Sequence, residues 1–392
     1  MKTNKQLLEK VLEPKNLLLA FRDAAKGKRQ RPSVLLFENH LARNLLHIRN
    51  DLLNHRYKHG PYTAFTVYDQ KERWIHAAPF RDRIVHHAVH QIIEPIFERR
   101  FIYDSFANRH EKGTHKAVHR IQEFLRKSEY HHHEPFCLKC DVSKCFPSIN
   151  HSVLIRLLER SISDTEIMSV LREIIASFET GDLYDPLFEP DSPFRKFRPR
   201  GIPIGNLTSQ LFVNIYLDRL DRFVKHELKI KHYVRYVDDF IILSTDQTVL
   251  LDIKNKIETF LRDSLYLELH PKKQRIFPAK LGIDFLGYII FRDHLLLRKS
   301  NKMKFGKRLR KLKVSVAEKL VSVTMACDTI TSWLAHSEHA DTNRLRARFF
   351  GMPLRAQDQA LIRDLVGSWK KKSPDPPKEK SPNDPSGQLR LF

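Results

Sequence analysis

Two runs of this sequence place carboxylates where an apolar stretch meets a turn. Tyr236–Phe240 reads YVDDF, so Asp238 and Asp239 interrupt a run of Val, Phe, Ile and Leu. Phe136–Asp141 reads FCLKCD and closes a second apolar strand on Asp141. Successive strand residues point to opposite faces, so Asp238 and Asp239 reach one site only at a hairpin turn. Read alone, an Asp-Asp turn between exposed strands needs no chemistry. Adjacent ionised carboxylates repel each other, however, and a divalent ion that prefers oxygen ligands, such as Mg²⁺, relieves the repulsion. If the two strands pair side by side, three acids meet. Such a site can hold two ions ~3.5–4 Å apart, the separation used for in-line phosphoryl displacement. One ion would activate a primer 3′-hydroxyl, and the other would hold a triphosphate and stabilise the leaving pyrophosphate. The transferring phosphorus calls for further cations, which basic residues of the 71–83 region can supply.

The elements that must position these groups are legible from periodicity. YTAFTVYDQKERWIHAA at 62–78 alternates around a polar turn at Asp69–Glu72, which predicts a β-hairpin. Val85, Val89, Ile92, Ile93 and Ile96 make one apolar helical face. Residues 114–128 read as a helix, 137–146 as a strand running into a turn, and 151–161 as a helix. GIPIGN at 201–206 introduces a helix from about Leu207 to His226. Tyr233–Ser244 reads as two strands around a turn at Asp238–Asp239, Leu251–Leu265 as a helix, and Leu281–Leu297 as short strands. The 131–135 and 180–200 segments read as polar breaks, and the tail beyond 370 as disordered.

Charge points to the partner. The 392 residues carry 69 Lys and Arg against 46 Asp and Glu, a net +23, which suits a polyanion. The length predicts two or three subdomains. No window is long and apolar enough for a membrane span. The N-terminus has no apolar signal core, which predicts a cytoplasmic protein without a membrane partner. Four cysteines do not make a disulfide framework. The Cys137–Cys140 pair lies on a strand with side chains on opposite faces, which predicts packing rather than zinc. His131–His133 reads as a solvated loop. His336 and His339, one helical turn apart, read as surface or RNA-facing residues.

DVSKCFPSI, GIPIGNLTSQLFVNIYLD, RYVDDFIIL, the Lys272–Lys273 pair and IDFLGY, in that order, resemble five successive palm motifs of bacterial reverse transcriptases. KERWIHAAPFRDRIVHHAV and PIFERRFIYDSFANRHEKGTH resemble their fingers motifs, and the likeness runs from about residue 14 to 350. The resemblance implies an α+β, right-hand polymerase fold. Residues 1–60 would be an N-terminal helical extension, 61–140 fingers with the start of the palm, 141–297 palm with fingers insertions, and 298–369 a helical thumb, followed by a basic, Pro-rich tail at 370–392. It also implies an RNA-directed DNA polymerase using dNTPs, a template RNA, a cDNA or primer strand, and two Mg²⁺ ions, with Mn²⁺ as a substitute. Asp141 and Asp238 would be metal ligands, with Val142 in the metal site and Asp239 the companion acid. Phe146 would be the steric gate against a 2′-hydroxyl, compatible with core packing. Lys71, Arg73, Arg81 and Arg83 would include the triphosphate contacts. Gly205 and Gln210 would border the nascent base pair, Lys272 or its neighbour Lys273 would lie near the leaving phosphates, and IDFLGY would form the primer grip.

Residues 298–313 carry nine Lys or Arg in sixteen positions. Following the primer-grip segment, Lys299, Lys302, Lys304, Lys307, Arg308 and Lys311 would track a duplex backbone by shape and phosphates. Ile204-Gly205 with Ser209-Gln210 replaces the family's Gln-Gly and Ser-Pro pairs and is similar to the diversity-generating retroelement enzymes. NLLLAFRDAAKGKR, GPYTAFTVYD and SWLAHSEHADTNRL share that likeness. It implies error-prone copying of a cognate RNA and a small basic accessory protein. His86 departs from the family, where Gln is usual. Related enzymes serve antiphage defence with a dedicated structured noncoding RNA, and a non-catalytic RNA-binding maturase is the alternative from another class. The intact acids argue against the latter. No zinc-binding, HNH or RNase H signature is recognisable.

Overall fold

The computed structural model describes residues 5–68, 72–127, 130, 134–180 and 199–370. Lys71, His131–His133, nearly all of the expected 180–200 loop and the 371–392 tail lie outside the described residues. The chain divides into two compact units, Met1–Leu281 and Gly282–Phe392.

The first unit opens with four helices, α1 (Leu7–Val11), α2 (Pro14–Ala25), α3 (Pro32–Glu38) and α4 (Leu41–Leu53). Proline stands at the start of α2 and α3, where its fixed φ favours the first turn and its missing N–H costs nothing. A two-stranded hairpin follows, β1 (Thr63–Tyr68) and β2 (Glu72–Ala77), then α5 (Phe80–Glu98) and α6 (Thr114–Leu125). The apolar face expected on α5 is present, with Val85, Val89 and Ile93 fully buried. Next come β3 (Phe136–Asp141), α7 (Cys145–Ser148), α8 (His151–Glu159), α9 (Thr165–Ala176) and α10 (Leu207–Arg222). The Asp164 side chain caps α9 by accepting from the Glu166 and Ile167 amides at 3.0 and 3.1 Å. Its other oxygen accepts the Leu7 amide at 2.5 Å, so one carboxylate terminates α1 and α9 together. The unit ends with β4 (Tyr233–Tyr236), β5 (Asp239–Ser244), α11 (Gln247–Leu265) and β6 (Arg275–Pro278).

Strands β4, β5, β3 and β6 form one antiparallel sheet in that order. β3 and β5 are central, and their side chains are buried on both faces, which explains why they read as continuous apolar runs. Their register aligns Phe136 with Ser244 and Asp141 with Asp239. Asp141 and Asp239 therefore end their strands side by side.

One charged pair sits in this core. Arg235 on β4 has no exposed side chain and pairs with Asp221 of α10 through Nη2–Oδ2 at 2.6 Å and Nε–Oδ1 at 2.7 Å. Tyr233 also donates to Asp221, at 2.6 Å. The same guanidinium donates to Ser105 Oγ at 3.0 Å and to the Val237 carbonyl at 2.9 Å. Burial works against the charge, yet Asp221 holds the Arg235 pKa above its ordinary value.

The second unit has a three-stranded sheet, β7 (Ile283–Phe285), β8 (Tyr288–Ile290) and β9 (Leu295–Leu297). Helices α12 (Lys299–Ala317), α13 (Val323–Ser337), α14 (Asn343–Phe350) and α15 (Gln359–Trp369) follow. Their core centres on Phe305, stacked on Trp333 at 3.9 Å, with Leu309, Ile330, Leu334 and Val366. The compact division falls after Leu281, and 283–297 form a sheet of their own, distinct from β3–β6. His336 is not the free surface residue expected: Tyr288 bonds its Nδ1 and its carbonyl oxygen, each at 2.9 Å.

Removing one partner of the buried pair leaves an uncompensated charge. Asp221→Ala should destabilise the protein by about 3–5 kcal/mol, measured by urea denaturation. A loss under ~1 kcal/mol would show that solvent reaches Arg235.

Candidate active site

The sheet register brings the predicted acids together. Asp141 and Asp239 are direct cross-strand partners, so their side chains share a face of the sheet. Tyr236 pairs with Asp239, so the β4–β5 loop is two residues, Val237 and Asp238. This corrects the expected turn at Asp238–Asp239 by one position. Val237 adopts φ 55°, a left-handed conformation that is costly for a β-branched residue, where glycine is the usual solution. The cost is met by the surroundings: Arg235 grips the Val237 carbonyl, and the Val142 amide donates to the Asp238 carbonyl at 3.0 Å.

Asp141 is 6% exposed. Its backbone carbonyl accepts the His270 amide at 2.8 Å, and its Oδ2 accepts Lys273 Nζ at 2.5 Å. Lys272 makes no such contact; it is exposed, and its amide donates to His270 Nδ1 at 3.2 Å. Of the two expected lysines, Lys273 is the one at the acids. Burial raises the Asp238 pKa, Asp141 raises it further, and Lys273 and Arg73 oppose. Burial pushes Asp239 up to about 7, with Asp238 and Asp141 adding and Lys139 opposing. These are carboxylates short of positive charge.

Among the described residues, no three His, Cys, Asp or Glu side chains close into a metal cluster by themselves. Mg²⁺ takes one or two carboxylates and completes its shell with water and substrate phosphates. The donors are all oxygen, and the Lys273 ammonium already occupies a cation position on Asp141. The residues present therefore fit the divalent ion implied by the sequence. Cys137, Cys140 and Cys145 are buried, and burial raises each thiol, Cys140 to about 12.

The four candidate triphosphate contacts separate. Lys71 lies outside the described residues. Arg73 is exposed on β2 and acts electrostatically on Asp238. Arg81 is committed elsewhere, paired with Asp51 at 2.8 Å and Asp82 at 3.2 Å and lying over the Tyr57 ring. Arg83 donates through Nε to the Ala78 carbonyl at 2.8 Å, and its nearest charged influence is Arg31. Spacing alone could not show these partners.

The GIPIGN loop meets β2 directly. The His76 amide donates to the Ile204 carbonyl at 3.1 Å. Gly205 has φ 121°, and a Cβ there would lie 3.0 Å from Ile75 Cγ2, so both conformation and space demand glycine. Ile75 and Arg73 share one face of the hairpin, since they are two residues apart on β2. Phe146 is half-buried against the main core, and its carbonyl accepts the Ile202 amide at 3.0 Å. Gln210 lies half-buried in the first turn of α10.

His86 occupies a polar chain that sequence reading did not reveal. Its Nδ1 meets Thr208 Oγ1 at 2.6 Å and its Nε2 meets His59 Nε2 at 3.1 Å, tying α5 to α10. In the second unit, Phe305 and Leu309 turn inward from α12, while Lys299, Lys304, Lys307, Arg308 and Lys311 are exposed and Lys302 is half-exposed. None of these six has an ion-pair partner among the described residues.

Residues 58–290, more than half of the chain, match the family model described as Reverse transcriptase (RNA-dependent DNA polymerase). The chain belongs to the reverse transcriptase family. Its α+β architecture, an antiparallel sheet flanked by helices, is the right-hand polymerase fold expected from the sequence. Protein YkfC of Escherichia coli is 26% identical over 294 residues, covering 66% of this chain and 74% of YkfC. The group II intron-encoded protein LtrA of Lactococcus lactis is 24% identical over 299 residues, covering 60% of this chain and 47% of LtrA. This chain therefore spans less than half of LtrA's length. A structure of telomerase from Candida albicans aligns over 82% of this chain and 62% of its own at 12% identity and TM-score 0.45, too slight a likeness to argue from.

Burial, with His59 and His87 adding, lowers the His86 pKa to about 3, against ~6.5 for a free imidazole. Below pH ~6.5 the unfolded chain binds a proton that the folded chain refuses. This contribution to stability is full above pH ~6.5 and falls as pH drops, by up to ~1.4 kcal/mol per pH unit. His86→Gln should therefore narrow its stability deficit relative to wild type between pH 7 and 5, read from denaturation curves. Parallel curves would contradict a neutral, buried His86.

Proposed function

We propose that this chain synthesises cDNA on a cognate RNA template, with nucleotidyl transfer at Asp141, Asp238 and Asp239. The observation that carries this reading is the cross-strand pairing of Asp141 with Asp239 beside the strained Val237–Asp238 turn. Asp141, Asp238 and Asp239, with Val142 beside them, would hold Mg²⁺. When bound, the divalent ions lower the pKa of the primer 3′-hydroxyl and stabilise charge on the transferring and leaving phosphates. Arg73 orients the triphosphate from the hairpin face that also carries Ile75. Phe146 packs beneath the sugar and excludes a 2′-hydroxyl. Lys273 neutralises Asp141 before substrate arrives and moves to the leaving phosphates afterwards. In this reading β1 and β2 belong to the fingers, the four-stranded sheet to the palm, and α12–α15 to a thumb whose exposed lysines track the duplex.

Ile204, Gly205, Ser209 and Gln210 support a diversity-generating enzyme with error-prone copying. Gly205 is packed to 3.0 Å against Ile75, and Ile204 brings an apolar side chain to a loop where relatives place a hydrogen-bonding Gln. Losing that bond would loosen base selection. A defence role with a dedicated noncoding RNA rests on the same catalytic residues and differs in product. A non-catalytic maturase would have no use for three mutually repelling acids.

Primer extension with Mg²⁺, dNTPs and a template RNA should be abolished by Asp238→Asn combined with Asp239→Asn. Residual extension within tenfold of wild type would contradict the assignment. Sequencing the product should show errors concentrated at template adenines; a faithful or repeat-making product would favour the defence role.

A further inference from the structure

The basic knot Lys26–Arg31 has no part in the polymerase site described above, yet the fold gives it a defined partner. Phe21 of α2, Phe37 of α3 and Phe80 of α5 form an aromatic triad. Phe80 meets the other two edge-on at 6.1 and 5.4 Å, and they lie 5.9 Å apart. The triad holds the α2–α3 loop against the first turn of α5. Arg83 stands three residues after Phe80 and His87 seven after it, so both lie on that face of the helix. Gly27 turns the loop with φ 70°, and Arg31 ends it at the start of α3.

We propose that Lys28, Arg31 and Arg83 form a cradle for the phosphate backbone of a nucleic acid, separate from the catalytic acids. The proposal rests on the polymerase reading only in taking nucleic acid as the partner. Two cations of the α2–α3 loop and one of α5 have no ion-pair partner among the described residues, whereas neighbouring Arg29 pairs with Glu38 at 3.7 Å and Arg81 with Asp51 and Asp82; nearby Asp23 acts on His87 and accepts from Gln91 at 3.0 Å. The mutual crowding of the three cations is felt. Burial lowers the Lys28 pKa, with Arg83 and Arg31 adding, and burial lowers that of Arg83, with Arg31 adding. The loop that carries Lys28 and Arg31 is pinned by the apolar triad beside the first turn of α5. A phosphodiester relieves the repulsion. The Arg83 fork is anchored at its Nε by Ala78 and keeps its two terminal nitrogens for oxygen acceptors, while Lys28 supplies a point charge. A nucleic-acid backbone, rather than a small anion, suits an open surface whose loop begins with the exposed Lys26.

The test measures equilibrium binding of a labelled RNA hairpin to the full chain at several salt concentrations, without dNTP or metal. It therefore reads out whether or not the chain polymerises. Lys28→Gln with Arg31→Gln should reduce the slope of log K against log salt by about 1–2, as expected for loss of one or two phosphate contacts. Lys28→Arg with Arg31→Lys should restore most of it. Arg29→Gln, which removes an equal charge already paired with Glu38, should change the slope by less than half as much. Thermal midpoints confirm that each variant is folded. An unchanged slope in the double Gln variant, or an equal effect from Arg29→Gln, would overturn the cradle. Failure of primer extension alongside a reduced slope would instead count against the polymerase reading alone.

Discussion

Everything at the centre of this protein depends on holding like charges together. Asp141 and Asp239 face each other across two buried strands, and Asp238 stands at the adjoining turn. Carboxylates so placed raise one another's pKa and would separate if they could. The antiparallel hydrogen-bonded pairing of β3 with β5 holds them in place. Folding free energy from the core is thus converted into electrostatic strain at a single edge.

The turn is secured by a second charged device. Arg235 lies in the core with Asp221, and from there it reaches the Val237 carbonyl and Ser105. A buried ion pair is a poor way to gain stability, since desolvation consumes most of the attraction. Its use here is positional. It joins β4, α10 and the segment preceding α6 at one guanidinium, and it fixes a β-branched residue in a conformation that the free chain avoids. Around the acids, positive charge comes from Lys273 on Asp141 and from Arg73 acting on Asp238.

Much of this was legible in the sequence. The YVDDF and FCLKCD runs combine strand periodicity with acids at the apolar boundary, and both strands and their meeting follow. The turn was misplaced by one residue because propensity does not anticipate a valine at φ 55°. The Asp221–Arg235 pair was missed, although each is a charge within an apolar run, because their meeting requires the packing of α10 on β4. Arg81 shares the spacing of the triphosphate contacts yet pairs with Asp51, distant in sequence, and with its neighbour Asp82. Likewise 283–297 read as palm strands, and only the pairing shows a separate sheet.

The central claim is that Asp141, Asp238 and Asp239 form one cation site under tension from the fold. Mn²⁺ binding followed by electron paramagnetic resonance, with a primer–template and dNTP present, tests it directly. Asp141→Asn should weaken Mn²⁺ binding by at least tenfold while leaving thermal stability equal to or above that of wild type, because it removes repulsion. Unchanged Mn²⁺ affinity in a folded Asp141→Asn protein would contradict the account.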